Sequence, residues 1–251
     1  MCYTQGELGR ARDILGRAIA LGRGAGDSDV VAEAENLLGH VEHGAGDMNT
    51  ARDQFTRSRE AFQALSIPWG IGNAVTGLAA VALATGDAGQ AEHLIEEALS
   101  ALHNGAPLFL SLALYVCAIL AVRRGEADKA IAVVRQSLTY IRELHDSFAF
   151  VYALGPLAAA AVLKGDDLWA ARILGARHAV TERTGAAAVD KSLDDLKELT
   201  EGAIRTRLGP DRWAAAFAAG RKSSIDALLK DIDGALQRAH GRFSVGEASV
   251  T

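Results

Sequence analysis

The 251-residue chain is short of several things, and each shortage removes a class of answer. Cysteine occurs only as Cys2 and Cys117, too few and too far apart for a disulfide framework or a zinc site, so a reducing cytoplasm is the expected location. Proline occurs four times, and so few breakers favour long helices. Basic charge is not in excess: 26 Lys and Arg against 31 Asp and Glu give a net charge of −5, without the basic footprint that nucleic-acid binding requires. The opening stretch "MCYTQGELGRARDIL" lacks the apolar core of an export signal. The most apolar run, Pro107 to Val122, carries no charge but falls short of the about 20 residues that a bilayer crossing needs, which fits a buried helix and no membrane association.

What is present is a lattice. A Gly-acid pair recurs as Gly6-Glu7, Gly46-Asp47, Gly86-Asp87, Gly125-Glu126 and Gly165-Asp166, at spacings of 40, 40, 39 and 40. Ala follows five residues after each glycine, at Ala11, Ala51, Ala91, Ala130 and Ala170. The off-lattice pairs Gly26-Asp27 and Gly246-Glu247 lack that Ala, so the two features belong together.

The lattice predicts helix-turn-helix units. A Gly can end one helix in a left-handed turn, and an acid at the start of the next meets its exposed N–H groups. Four residues beyond the lattice Ala stand Leu15, Phe55, Ile95, Val134 and Leu174, so the second helix presents a small and a large apolar residue on one face. Before the turn, Leu38-Gly39, Leu78-Ala79, Cys117-Ala118 and Leu157-Ala158 repeat the large-small pairing. The expected fold is therefore all-α, an α-solenoid with a period of about 40. Residues 1–27 form a truncated first unit with only its second helix, 28–187 four complete units, 188–238 a cap of three helices, and 239–251 a flexible tail.

Across residues 1 to about 187 this pattern resembles the tetratricopeptide repeat, with its large-small pair in helix A, Gly-acid turn and helix B Ala. The period is longer than that family's usual 34 or so, and its frequent Trp and Tyr positions hold Glu35, Val75, Leu114 and Leu154, then Glu42, Ala82, Ala121 and Ala161. Residues 168–238, "AARILGARHAVTERTGA" followed by "LGPDRWAAAFAAGRKSSIDALL", resemble the C-terminal end of large bacterial, especially actinobacterial, regulators. In these a signal-transduction ATPase precedes a tetratricopeptide arm, and some members add a LuxR-type DNA reader. The resemblance implies a non-catalytic sensing arm that binds a protein, a peptide or a small apolar effector. A standalone scaffold is the alternative. No GxxxxGK[ST] phosphate loop occurs, so a regulatory output would belong to a larger parent, of which a chain opening in mid-repeat is expected to be a fragment. The unpartnered first helix, with Leu8, Ala11, Leu15 and Ile19, is expected to be exposed or to self-associate.

Reactive constellations are weak, and neither catalytic residues nor a cofactor is expected. His40 and His43, near Glu42 and Asp47, could begin a metal site, but no third ligand is tied to them by spacing. Gly22, Gly24 and Gly26 follow a helix rather than a strand, the wrong context for a phosphate cradle. Adjacent carboxylates such as Glu96-Glu97, Asp166-Asp167 and Asp194-Asp195 diverge by about 100° on a helix. Ser58, Ser111, Ser137 and Ser147 lie near no positioned His.

The tetratricopeptide arrangement puts helix A on the concave face. It implies a groove of Leu112, Tyr115, Ile119 and Val122 beside Tyr152, Ala159 and Val162, with Tyr115 and Tyr152 as anchors and with polar Glu33, Asn36, His40 and His43 at the earlier positions. A run apolar on all sides needs covering on all sides, by the chain's own superhelix or by a partner helix or effector.

Overall fold

The computed structural model describes residues 7–102, 106–144, 147–185 and 191–246, and Gly6 of the first lattice pair lies outside them. Among the described residues the chain is all helix: α1 (Leu8–Ala25), α2 (Ser28–Ala45), α3 (Met48–Ala64), α4 (Pro68–Ala84), α5 (Ala88–Leu102), α6 (Pro107–Arg123), α7 (Ala127–Leu144), α8 (Ser147–Leu163), α9 (Asp167–Thr184), α10 (Lys191–Leu208), α11 (Pro210–Gly220) and α12 (Ile225–Gly246). Three of the four prolines, Pro68, Pro107 and Pro210, open helices, where a missing N–H costs nothing, and Pro156 alone lies inside one.

Each lattice turn closes in one way. Gly46 takes φ 87° and Gly165 φ 74°, a left-handed conformation with little cost only for glycine. The glycine N–H then donates to the carbonyl three residues back and the following acid's N–H to the one five back, as in Gly46 to His43 and Asp47 to Glu42, or Gly165 to Val162 and Asp166 to Ala161. The acid caps the next helix: Asp47, Asp87 and Asp166 accept from the N–H groups of Thr50, Gln90 and Trp169. Gly26-Asp27 makes the same turn and cap between α1 and α2. The acid pair is thus a general helix joint, and the Ala marks which joints lie within a unit.

The lattice Ala residues are all buried because neighbouring helices approach there. Phe55, four positions beyond Ala51, needs glycine beside it: a Cβ on Gly39 would fall 2.7 Å from its ring, and one on Gly77 would clash with the same ring. Phe55 is therefore clamped between α2 and α4. At the joints Trp69 lies between Phe62 and Phe109, with ring centroids 5.3 and 5.2 Å away.

A second recurrent bond ties the two helices of three of the four complete units. Ser58 Oγ donates to the Ala32 carbonyl at 2.9 Å, Ser137 Oγ to Ser111 at 3.2 Å and Arg177 Nε to Val151 at 3.0 Å, each spanning 26 residues. The equivalent donor position in the remaining unit is Ala98, facing the place of Gly72. There the hydroxyl of Thr76, in the same helix as Gly72, takes over the carbonyl at 2.8 Å.

Successive helices pack as neighbours, with α2, α4, α6 and α8 ranked along one side and α3, α5, α7 and α9 along the other, an α-solenoid closed by a helical cap. The cap straddles the end of the solenoid. Helix α10 packs on α8 and α9 and reaches α4 and α2, α11 packs on α9, and α12 lies on α7. At the α9–α11 crossing a Cβ on Gly175 would strike the Phe217 carbonyl and one on Gly220 the Arg172 carbonyl, so the two backbones touch directly. Arg221–Glu182 at 2.6 Å and Arg135–Asp233 add exposed ion pairs across the cap. Helix α12 continues to Gly246, past position 238 where the sequence reading ends the cap, and residues 247–251 lie outside the described ones.

The expectation for α1 is corrected in part. Ala11 and Ile19 are buried and Leu8 and Leu15 half-buried, because α1 turns this stripe onto α2. The exposed large apolar residues of α1 are Ile14 and Leu21.

Candidate binding face

The side formed by α2, α4, α6 and α8 carries the residues that the sequence places on the concave face. Two pairs occupy equivalent positions there. Asn36 of α2 meets Asn73 of α4, and Tyr115 of α6 meets Tyr152 of α8, each pair 37 residues apart and two units from the other. Both partners stand ten and thirteen residues before their own lattice glycine, so the solenoid geometry brings the same two positions together in each case.

In the polar half, Asn73 Nδ2 donates to Asn36 Oδ1 at 2.8 Å. The other two amide atoms, Asn36 Nδ2 and Asn73 Oδ1, are enclosed without a partner among the described residues, as is His43 Nε2. A buried polar atom left unmet costs about 1–3 kcal/mol. Around it, Glu42 and Glu35 are buried but held by α1: Arg12 grips Glu42 through two bonds of 2.7 Å, and Arg23 meets Glu35 at 2.8 Å. Arg12 is correspondingly harder to deprotonate, first through its bond to Glu42 and then through the carboxylate's charge. Burial raises the carboxyl of Glu33, with Asp29 adding to it. His40 does not join a ligand set and sets its ring edge-on to Phe55 at 4.8 Å.

In the apolar half, the Tyr115 and Tyr152 rings meet at 90° with centroids 5.0 Å apart. Tyr115, Ile119, Val122, Tyr152 and Ala159 are buried by the chain's own packing, and Leu112 and Val162 are half-buried. The covering that a run apolar on all sides requires is here internal, from α4, α7 and α8 around α6, and from α10 over α8.

Helix α10 is fixed at its C-terminal end. Ile204 is fully buried, Arg205 lies over the Trp213 ring at 4.8 Å, and Arg207 binds both oxygens of Asp167 at 2.7 Å. That bond keeps the Asp167 carboxyl below the ordinary carboxylate range. Trp213 is buried with Phe217 stacked beside it.

Reactive chemistry is sparse. Among the described residues no group of three His, Cys, Asp or Glu is placed to hold a metal ion. Burial pushes the Cys117 thiol upward, away from thiolate character. Ser58, Ser111 and Ser137 spend their hydroxyls on backbone carbonyls. No helix among the described residues is long and apolar enough to cross a membrane.

Sequence reasoning missed Asn73 as a member of the polar face. The signal was available in the 37-residue offset, which Tyr115 and Tyr152 show equally. No protein-family model matches the chain, and no curated protein is significantly similar to it.

Proposed function

We propose that this chain is a non-catalytic binding module of the tetratricopeptide kind. It takes a protein or peptide, or a small apolar effector, along the α2–α4–α6–α8 side, and works in the bacterial cytoplasm as the sensing arm of a larger regulator of transcription. The observation that carries the binding role is the enclosed Asn36–Asn73 pair with its unused donor and acceptor. Polar groups left unmet at a structural cost are a mark of a site kept for something other than folding. The regulatory part rests on the C-terminal sequence resemblance. The helix–helix contact does not itself require a hydrogen-bonded amide at that position, as the Tyr115–Tyr152 ring contact at the equivalent place illustrates.

A peptide-library selection against the immobilised full chain tests the reading. Selected peptides are expected to lose at least tenfold in affinity to the Asn36→Ala, Asn73→Ala double variant while its thermal unfolding stays within a few degrees of wild type. Peptides that bind both proteins equally place recognition elsewhere and overturn it.

A further inference from the structure

We infer that the α1–α2 edge of the solenoid is where a second copy of this chain docks, with α1 of each copy lying on α2 of the other about a two-fold axis.

The repeat itself identifies the surface. Ile14 and Leu21 stand eight and fifteen residues after the lattice glycine Gly6, and Val30, Glu33 and Leu37 stand sixteen, thirteen and nine before Gly46. All five are exposed. In the later units the same positions are covered: Leu94, Val133 and Ile173 hold the place of Ile14, and Gly77, Val116 and Pro156 that of Leu37, and each is buried or half-buried. The cover on the first helix of a unit comes from the unit before it. A Cβ on Gly77 would strike Phe55 and one on Gly70, the counterpart of Val30, would strike Phe62, both in the preceding helix α3. The five exposed residues therefore mark the flank that one repeat offers to the repeat before it.

That flank is apolar and continuous. Helices α1 and α2 are joined by the turn at Gly26, and a Cβ on Gly22 would fall 2.9 Å from Val31 and 3.4 Å from Val30. Leu21 is thus level with Val30, and seven residues away along each helix Ile14 is level with Leu37, giving two apolar rungs about 10 Å apart. Four of the eight large apolar residues exposed among the described ones stand here, whereas the opposite end of the solenoid is closed by α10, α11 and α12. A repeat buries its apolar flank only against a neighbour, so this edge is built to be covered.

Charge indicates the occupant. Arg10 and Arg17 lie three or four residues from Ile14 and Leu21, on the side of α1 away from α2. Glu33 lies three residues from Val30 and four from Leu37, on the side of α2 away from α1, with Asp29 one turn before it. Arg10 is shared with Glu7 at 3.3 Å, whereas neither Arg17 nor Glu33 makes an ion pair among the described residues. Across the edge the order is basic, apolar, apolar, acidic. A surface ordered in this way is its own complement. A two-fold axis parallel to the helices sets Ile14 over the partner's Leu37 and Leu21 over the partner's Val30, and brings Arg17 level with the partner's Glu33, twice over. A second copy supplies that order by symmetry.

Sedimentation velocity of the full chain over a range of concentrations is the test, with circular dichroism to confirm that each variant keeps its helices. Wild type is expected to dimerise reversibly. Arg17→Glu and Glu33→Arg should each weaken the dimer at least tenfold, because each sets like charges against each other at both contacts. An equimolar mixture of the two variants should recover the wild-type affinity, since every swapped charge then faces its opposite. A wild type that stays monomeric overturns the proposal and leaves the edge to a helix from elsewhere. Variants that dimerise like wild type, or a mixture no tighter than its components, overturn it as well and place any contact between copies on another surface. None of these measurements involves Asn36, Asn73 or a peptide, so the dimer and the binding role proposed above stand or fall separately.

Discussion

Asn73 donates to Asn36 across the α2–α4 contact at the position where Tyr152 meets Tyr115 across α6 and α8. One site in the repeat thus accepts either a polar or an aromatic pair, and in the polar pair two amide atoms have no partner among the described residues. Replacing both residues by leucine should be neutral or stabilising. Replacing either alone should cost about 1–3 kcal/mol, since the remaining amide loses its partner. Urea unfolding of the two singles and the double makes the comparison, and a double variant weaker than both singles would contradict it.

The recurrent bond between the helices of a unit gives a second test. Ser58→Ala and Ser137→Ala should each cost about 1 kcal/mol. Thr76→Val should cost a similar amount by removing the donor to Gly72, and Ala98→Ser, nearly neutral in wild type, should restore it in the Thr76→Val background. A double-mutant cycle with no coupling would show that the α4–α5 unit does not share the carbonyl.

Gly220→Ala should undock the cap. The new methyl would meet the Arg172 backbone carbonyl, which has no rotamer to escape into, and overpacking of this kind costs about 1–3 kcal/mol or more. Faster hydrogen exchange confined to α11 and α12 would mark the effect, and an unchanged profile would refute the backbone contact.

Acid should loosen α10. Arg207 holds the Asp167 carboxyl below its ordinary value, so the folded pKa lies under the unfolded one. The stabilisation is then complete above the unfolded value, near pH 4, and disappears as pH falls through the folded value. The Tm difference between wild type and Asp167→Asn should be present at neutral pH and close below about pH 4. The effect is small, because Arg207 is half in solvent.

Association through α1, if it occurs, uses Ile14 and Leu21, at 48% and 72% exposure, and not the stripe facing α2. Leu21→Glu should abolish concentration-dependent sedimentation without lowering Tm. Sedimentation identical in both proteins would remove α1 from any contact between copies.

The units were legible in the sequence because their joints make demands that few residues meet. A left-handed turn at Gly46 or Gly165 and a close approach at Ala51 or Ala170 leave a residue-type trace at a fixed spacing. Gly26-Asp27 shows the limit of that trace, since the same joint also links one unit to the next. The side of the solenoid on which α10 lies leaves none, because its approach to α2 joins segments more than 140 positions apart. Burial of Tyr115 and Tyr152 was equally hidden, since an anchor facing a groove and a ring filling a core are written with the same letter. The stripe of α1 was misjudged for a related reason: one neighbour, α2, suffices to cover Ala11 and Ile19.

The touching backbones at Gly175 and Gly220 also act as a gauge of register. Sliding α11 along α9 by one turn would bring Ala216 to the place of Gly220, with a methyl group where the Arg172 carbonyl sits. The cap therefore has one admissible station on the last repeat and no neighbouring one to slip into. Pulled along its axis, this joint should hold without creep and then part in a single rupture, as a latch does.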